Sequence, residues 1–293
     1  MAEKILLQPG TLWTSVKERT KQALQCEALL SIPTEFEFIE QDGVNFLVRI
    51  LSNLVRKEAA KKKKVAVSGI EFNPFLPYEE DLFVAEISES HVCILNKYNV
   101  VEHHLLIITR AFEEQESLLT LADFAAMWAC LADFNGLAFY NSGKIAGASQ
   151  RHKHLQLVPL PLTSSGLQIP IEPLLASAKF QDSIATIPGF PFVHAFTLLD
   201  FPFITPEAIL ERYHRLLSFV GLEVVNGNRL SGAYNFLATR EWVLIVPRSH
   251  EHFQSIFVNS LGFAGTLLVR NELEMQILKD TGPMTILKNV GQL

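Results

Sequence analysis

The stretch Gly147-Ala148-Ser149-Gln150-Arg151-His152-Lys153-His154-Leu155-Gln156-Leu157-Val158-Pro159 constrains this chain more than any other. From His154 to Val158 it reads as a strand, whose alternate side chains point to opposite faces. His152, His154 and Gln156 therefore share one face, while Leu155 and Leu157 point into a core. Two imidazoles and a carboxamide on one rigid element make a polar row that packing does not require. Just upstream, Gly147, Ala148 and Ser149 are small enough to bring backbone N–H groups close to an anion. A nucleophile beside a phosphate cradle is the arrangement that phosphoryl or nucleotidyl transfer needs. A lone His-x-His pair is more often a packed, hydrogen-bonded feature. The loop before it and Gln156 after it favour the functional reading.

The flanking chain supplies the elements that hold such a site. Leu12, Val16, Ala23, Leu24 and Leu30 fall near helical spacing and predict an amphipathic helix from Thr11 to Leu30, stopped by Ile32-Pro33. Glu35 to Glu40 and Val44 to Ile50 read as a hairpin around Asp42-Gly43. The basic run from Arg56 to Lys64 reads as a solvated loop, with no interleaved aromatics on which nucleic-acid bases could stack. Pro74 and Pro77 make Asn73 to Tyr78 irregular, a segment that pins a loop or, less plainly, lines a base pocket. Strands are expected at His91 to Asn96 and His104 to Thr109. The loop between them carries Asn96 and Lys97, and Lys97 lies outside any charge run, which suits a phosphate contact.

Thr120 caps a predicted helix, with Asp123 in its first turn, Phe124, Trp128 and Leu131 as its core stripe and Gly136 at its end. Leu137 to Tyr140 then forms a strand that delivers Asn141 to the loop side of the sheet carrying His154. Pro159 to Pro173 holds four prolines and reads as the connection between halves, placed at residues 1–165 and 166–293. Beyond it a strand (His194 to Leu199), a helix (Thr205 to Phe219) and a hairpin (Asn235 to Ala238 with Trp242 to Val246) are expected. Leu105 to Arg110 and Val243 to Arg248 are similar enough to suggest an internal repeat.

Bulk properties exclude several classes. Hydrophobic residues make up 48% of the 293 and charged residues 19%, which fits a compact globular enzyme rather than a disordered chain. A net charge of −6 disfavours a general nucleic-acid binder. Cys26, Cys93 and Cys130 are scattered, implying neither a disulfide framework nor a four-cysteine zinc site. No apolar run of about 18 residues and no apolar leader is seen, so no membrane role is expected and the cytoplasm is the expected compartment. His103-His104 and His250-Glu251-His252 invite a metal-dependent hydrolase reading. Neighbouring histidines on a strand point to opposite faces, so no metal site is expected.

Six stretches, in order, resemble one family: Asn73-Pro74-Phe75-x-Pro77-Tyr78, Leu95 to Val100, Phe139 to Gly143, His152 to Gln156, Val246 to Ser249, and Asn259-Ser260-x-Gly262. The family is the diadenosine tetraphosphate phosphorylases, or ATP adenylyltransferases, in the transferase branch of the histidine-triad (HIT/GalT-like) superfamily. The resemblance implies an α+β, HIT-like fold with two related halves of antiparallel sheet and flanking helices. It implies a nucleotidyltransferase in which diadenosine tetraphosphate and phosphate give ATP and ADP through a nucleotidyl-histidine. His154 would be the nucleophile, His152 would orient it or donate to phosphate, and Gln156 stands where the hydrolase branch has histidine. Gln donates without titrating, which favours transfer to a bound acceptor over transfer to water.

Carried over residue by residue, the resemblance places Lys57, Asn96, Lys97, Asn141, Gly147, Ala148, Ser149, Gln150 and Gln156 around the polyphosphate and nucleoside. Asn259, Ser260, Leu261, Thr266 and Arg270 match the C-terminal binding stretch, although the family can carry Met and Lys where Thr266 and Arg270 stand. No covalently bound cofactor is implied, and a divalent cation such as magnesium can accompany the polyphosphate. The expected partners are small molecules: a dinucleoside polyphosphate, inorganic phosphate, ATP and ADP. Rival readings are a phosphorylase of another nucleotide, such as a nucleoside-diphosphate sugar, and a catalytically silent nucleotide sensor. Oligomeric state and the choice between adenine and guanine stay open.

Overall fold

Apolar runs buried on both faces make the central strands here, and their order in the chain already shows two halves. Helix α1 (Leu12–Gln25) comes first, then β1 (Thr34–Gln41), β2 (Val44–Leu51), β3 (Phe83–Glu86), β4 (His91–Leu95), β5 (Leu105–Thr109), α2 (Leu121–Asp133), β6 (Gly136–Asn141) and β7 (His154–Pro159). The second half adds β8 (Lys179–Gln181), β9 (Ile184–Thr186), β10 (Ala195–Leu198), α3 (Pro206–Phe219), β11 (Tyr234–Ala238), β12 (Trp242–Pro247), β13 (Thr266–Val269), α4 (Glu272–Thr281) and α5 (Pro283–Val290). This computed structural model describes residues 3–51, 73–163 and 167–293. Lys57, the run Arg56 to Lys64 and the 165–166 junction lie outside the described residues.

Ten strands form one sheet in the order β3-β4-β5-β7-β6-β11-β12-β10-β9-β8, and a smaller sheet has the order β1-β2-β13. In the smaller sheet Asp42 and Gly43 take φ of 52° and 77°, the positive values that a two-residue hairpin turn requires. The large sheet is built from two related units. In the first, β5, α2, β6 and β7 give the strand order β5-β7-β6; in the second, β10, α3, β11 and β12 give β10-β12-β11.

Their registers superpose. Leu105 pairs with Leu157 as Ala195 pairs with Ile245, and Gly136 pairs with Pro159 as Tyr234 pairs with Pro247. The units meet where Phe139 faces Leu237. Their equivalence puts Trp242 and Leu244 at the positions of His154 and Gln156, so only the first unit keeps the polar row. The repeat suggested by the sequence is real, but its partner strands differ from those expected: β12 corresponds to β7, and β5 corresponds to β10.

The two faces of the large sheet bury different cores. Leu155, Leu157, Ala138 and Tyr140 pack with α1, α2 and α3 on one face. Val158, Phe139, Leu237 and Val246 pack on the other with Phe46, Val48, Leu267, Val269 and the C-terminal helices. His154 and Gln156 belong to this second face, and the space between the large and small sheets is where a ligand can enter.

Two expectations need correcting. Helix α1 ends at Gln25 rather than Leu30. Glu27 takes a left-handed φ of 59°, and the Leu30 N–H then donates to the Lys97 carbonyl at 2.8 Å, committing that segment to the Lys97 loop. Gly136 does not end α2 but opens β6, where a Cβ would come within 2.8 Å of Leu157 Cδ1 and 3.0 Å of the Val158 oxygen. Among the described residues, no helix is long and apolar enough to cross a membrane.

Candidate active site

His154 opens β7, buried on the sheet and paired with Ile108 of β5. Its backbone is held by the Gln115 side chain, whose oxygen accepts from the His154 N–H at 2.9 Å while its amide donates to the His154 carbonyl at 3.2 Å and to the Asn141 carbonyl at 2.9 Å. The ring is fixed as well. Nδ1 lies 2.8 Å from the His152 carbonyl, which can only accept, so Nδ1 carries the proton and Nε2 keeps its lone pair. Burial pushes the imidazole down to about 4, outweighing the backbone hydrogen bond that favours protonation. At neutral pH His154 is therefore a neutral, oriented imidazole whose Nε2 is free to act as a nucleophile.

Gln156, next along that face, is oriented by His104. The His104 Nε2 lies 3.0 Å from the Gln156 side-chain oxygen, and the Asn96 amide lies 3.3 Å from His104 Nδ1. Burial lowers His104 to about 4, against the Gln156 hydrogen bond, so the ring is neutral with its proton on Nε2. The chain Asn96–His104–Gln156 occupies the carboxamide oxygen and leaves the Gln156 amide group to donate.

These groups line a cavity of about 730 Å³, within the range of about 300–1,000 Å³ usual for ligand clefts. His104, His154 and Gln156 line it together with Asn96, Lys97, Asn141, the 147–150 loop, Asn259, Leu261, Thr266 and Arg270. Gly147 is left-handed, with φ 93°, and a Cβ there would meet the Val258 oxygen at 2.7 Å and Asn259 Cα at 2.9 Å. Glycine is needed for the loop to lie flush against the C-terminal binding stretch. Lys97 is paired with Glu79 at 2.6 Å, and Arg270 is clamped by Glu274 at 2.6 and 2.8 Å.

Ser260 sits elsewhere. It is fully buried, does not line the cavity, and donates to Asn141 Oδ1 at 2.7 Å through its hydroxyl and 2.9 Å through its backbone. Asn141 Oδ1 also accepts from Asn235, whose own oxygen accepts from Arg248 at 2.6 Å. Arg248 is only 2% exposed, and burial lowers its guanidinium to about 9. It also donates to the Ala146 and Val258 carbonyls, tying the turn before Gly147 to the segment that leads into Asn259.

His152 does not share the cavity face as the alternation predicts. The regular strand starts at His154, and His152 lies in an isolated bridge to Glu114. Its ring is taken up by Asn73 Nδ2 at 3.1 Å and by Thr109 at 2.9 and 2.8 Å, so only its carbonyl reaches His154. Phe75, in the irregular Asn73 to Tyr78 segment, packs its ring edge-on to both histidines and lines the cavity; the segment does more than pin a loop. His103 and His104 separate, though not by strand alternation: both precede β5, and His103 turns away with a left-handed φ of 57° to reach Thr20 at 2.9 Å. Among the described residues no group of three His, Cys, Asp or Glu could hold a metal ion.

Several site residues were not singled out from sequence. Gln115 acts through backbone contacts between distant segments, for which no local pattern exists, and Arg248 lies in the family-like stretch Val246 to Ser249 without its role being readable there. Lys153, between the two histidines, points to the helical side and is fully buried against Asp123 at 2.6 Å, while Asp123 also accepts from His91 at 3.1 Å and caps α2. Burial raises the Asp123 carboxyl, but the His91 hydrogen bond and the Lys153 charge outweigh it and hold it near about 2. Arg49 interrupts the apolar run of β2 and reaches the cavity, a signal visible in the sequence.

Two family models match along the chain. Residues 2–177 match the Ap4A phosphorylase N-terminal domain, and residues 188–292 match the ATP adenylyltransferase C-terminal domain. Diadenosine 5',5'''-P1,P4-tetraphosphate phosphorylase 2 of Saccharomyces cerevisiae is 28% identical over 270 residues, covering 82% of this chain and 81% of that protein. Protein APA1 of the same yeast is 26% identical over 218 residues, covering 67% and 68%. The crystal structure of yeast Ap4A phosphorylase Apa2 matches with a TM-score of 0.79 at 22% identity, covering 98% of this chain and 95% of that one. The same yeast protein in complex with Ap4A matches at 0.78 and 21% identity. At such identity the structural likeness establishes the HIT-like fold.

Proposed function

The chain belongs to the Ap4A phosphorylase family, and from that premise we propose that it cleaves diadenosine tetraphosphate with inorganic phosphate to give ATP and ADP. The observation that carries this is the fixed tautomer of His154, neutral and held by its Nδ1–H with Nε2 unprotonated. Nε2 attacks the α-phosphorus, a P–N bond forms, and the bond from that phosphorus to the bridging oxygen breaks. ATP leaves with the electron pair. An oxygen of inorganic phosphate then attacks the same phosphorus, the P–N bond breaks, and ADP forms while His154 is regenerated. Two easier displacements replace one difficult one.

Negative charge on the non-bridging oxygens is met in both steps by the Gln156 amide and the loop from Gly147 to Gln150. Lys97 and Asn96 take the outer phosphates. A divalent cation enters with the polyphosphate, as part of the substrate. Gln156 cannot act as a base toward water, which supports phosphate as the acceptor. The cytoplasm, where Cys26, Cys93 and Cys130 stay as free thiols, suits these substrates.

Incubation with diadenosine tetraphosphate, with and without phosphate, tests the reading. ATP and ADP should form in equal amounts and only with phosphate. Rapid AMP release without phosphate would mean hydrolysis and overturn it.

A further inference from the structure

Among the described residues, two buried side-chain polar atoms lack a hydrogen-bond partner: Arg49 Nε and Thr266 Oγ1. Both residues line the cavity that holds His154. Burying a polar group without a partner is unfavourable, and two such atoms on one cavity wall mark a surface built to meet a polar ligand. Thr266 is 7% exposed. The small sheet sets the pair on one face of neighbouring strands, offset by two residues. β13 runs parallel to β2 with Leu47 opposite Thr266 and Arg49 opposite Leu268, so these residues share one face, while Val48, Leu267 and Val269 fill the core behind it.

Among the described cations that line the cavity, Arg49 has donors to spare. Arg270 gives its guanidinium to Glu274 and to the Ser255 carbonyl, and Lys97 is paired with Glu79. The described partner of Arg49 is Thr34 Oγ1, at a long 3.4 Å. Leu268 lies opposite it and Leu51 two residues along the same face, and Ile32, Val100 and Val101 line the same cavity. Such walls suit the flat apolar faces of a nucleobase rather than a phosphate, for which the Gly147 to Gln150 loop is already built. The base's polar edge would then meet Arg49 and Thr266.

A guanidinium offers only donors in a fixed fork, so it pairs with an edge that presents two acceptors. N7 and O6 of guanine provide them, whereas adenine sets its amino group, a donor, against the same fork. We propose that Arg49, with Thr266 beside it, reads the edge of one base of the dinucleotide and favours a 6-oxopurine over adenine. This rests on the cavity holding a nucleotide, as the phosphorylase reading requires. Diadenosine tetraphosphate remains a substrate, and guanosine-containing dinucleotides become better ones.

Calorimetric binding of GMP, IMP and AMP tests this without any turnover, and kcat/KM for diguanosine and diadenosine tetraphosphate tests it in the reaction. GMP and IMP, which share the O6/N7 edge, should bind the unmodified protein about tenfold more tightly than AMP. In Arg49→Leu and in Arg49→Lys, which keeps the charge but loses the fork, that ratio should collapse toward one with AMP affinity little changed. Thr266→Val should reduce the ratio less. A ratio unaffected by Arg49, a common loss of all three nucleotides, or an unmodified protein that prefers AMP would overturn the proposal. Absent phosphorolysis together with an intact, Arg49-dependent GMP preference would overturn the reaction and uphold the base reading.

Discussion

His104 Nε2 lies 3.0 Å from the side-chain oxygen of Gln156, and that hydrogen bond decides which end of the carboxamide faces the cavity. With the oxygen occupied, the amide protons are left for the substrate. Gln156→Ala should lower kcat by roughly 10²-fold, the usual cost of a lost donor to a developing charge. His104→Ala should cost about tenfold, chiefly in kcat, because the amide is still present but no longer oriented. Steady-state kinetics separate these effects. A His104→Ala enzyme altered only in KM would contradict the orienting role.

Beneath the same strand, Lys153 and Asp123 form a fully buried ion pair. Lys153→Met leaves the Asp123 charge buried with only His91 and the α2 cap to hold it. That should destabilise the fold by about 3–5 kcal/mol, since breaking a buried pair on one side strands the other charge. The double variant with Asp123→Leu should recover part of the loss. Denaturant melts of the two variants provide the comparison, and a double variant no better than Lys153→Met would refute the pairing as the cause.

The fold was legible wherever chemistry was local. Asp42-Gly43, the Thr120 cap and the alternation through His154 each set their own element, and they appear where expected. The roles of Gln115, Arg248 and Lys153 were not legible, although the last two lie in family-like stretches, because they depend on which segments meet across the sheet. His152 misled for a related reason. Alternation assigns it to the cavity face only if the strand extends that far, and the bridge to Glu114 ends the regular pairing at His154. Ser260 likewise shows that a matching motif position can act through Asn141 from within the core.

Lys97 is held by Glu79 at 2.6 Å, so a phosphate that binds there must compete with that carboxylate. Lys97→Ala should raise KM about tenfold, in keeping with roughly 1.5–3 kcal/mol for a charge-assisted hydrogen bond. Glu79→Gln should lower KM instead. Both are read from initial rates, and a rise in KM for Glu79→Gln would assign the pair a structural role.

The pH response follows from two buried histidines. His154 and His104 sit at about 4 in the folded protein, below the ordinary 6.5. Between those values the unfolded chain binds more protons, so stability rises with pH across this window and is lost as pH falls from about 6.5 toward 4. Asp123, held at about 2 against its ordinary 3.8, adds a further loss below about pH 4. Thermal melts should therefore fall between pH 6.5 and 4.5. The acid limb of kcat/KM should lie near pH 4, where His154 protonates. A limb near 6.5 would mean an imidazole that is not desolvated.

The central claim is that Nε2 of His154 carries the nucleotide. Labelled diadenosine tetraphosphate given without phosphate should leave adenylate on the protein, stable in base, released by acid, and located by mass spectrometry on the peptide containing His154. Added phosphate should discharge it as ADP. His154→Ala should trap nothing and lose roughly 10³-fold or more in kcat, whereas His152→Ala should be milder because its carbonyl remains in place. An enzyme that forms no adduct and keeps near-normal turnover without His154 would contradict the mechanism.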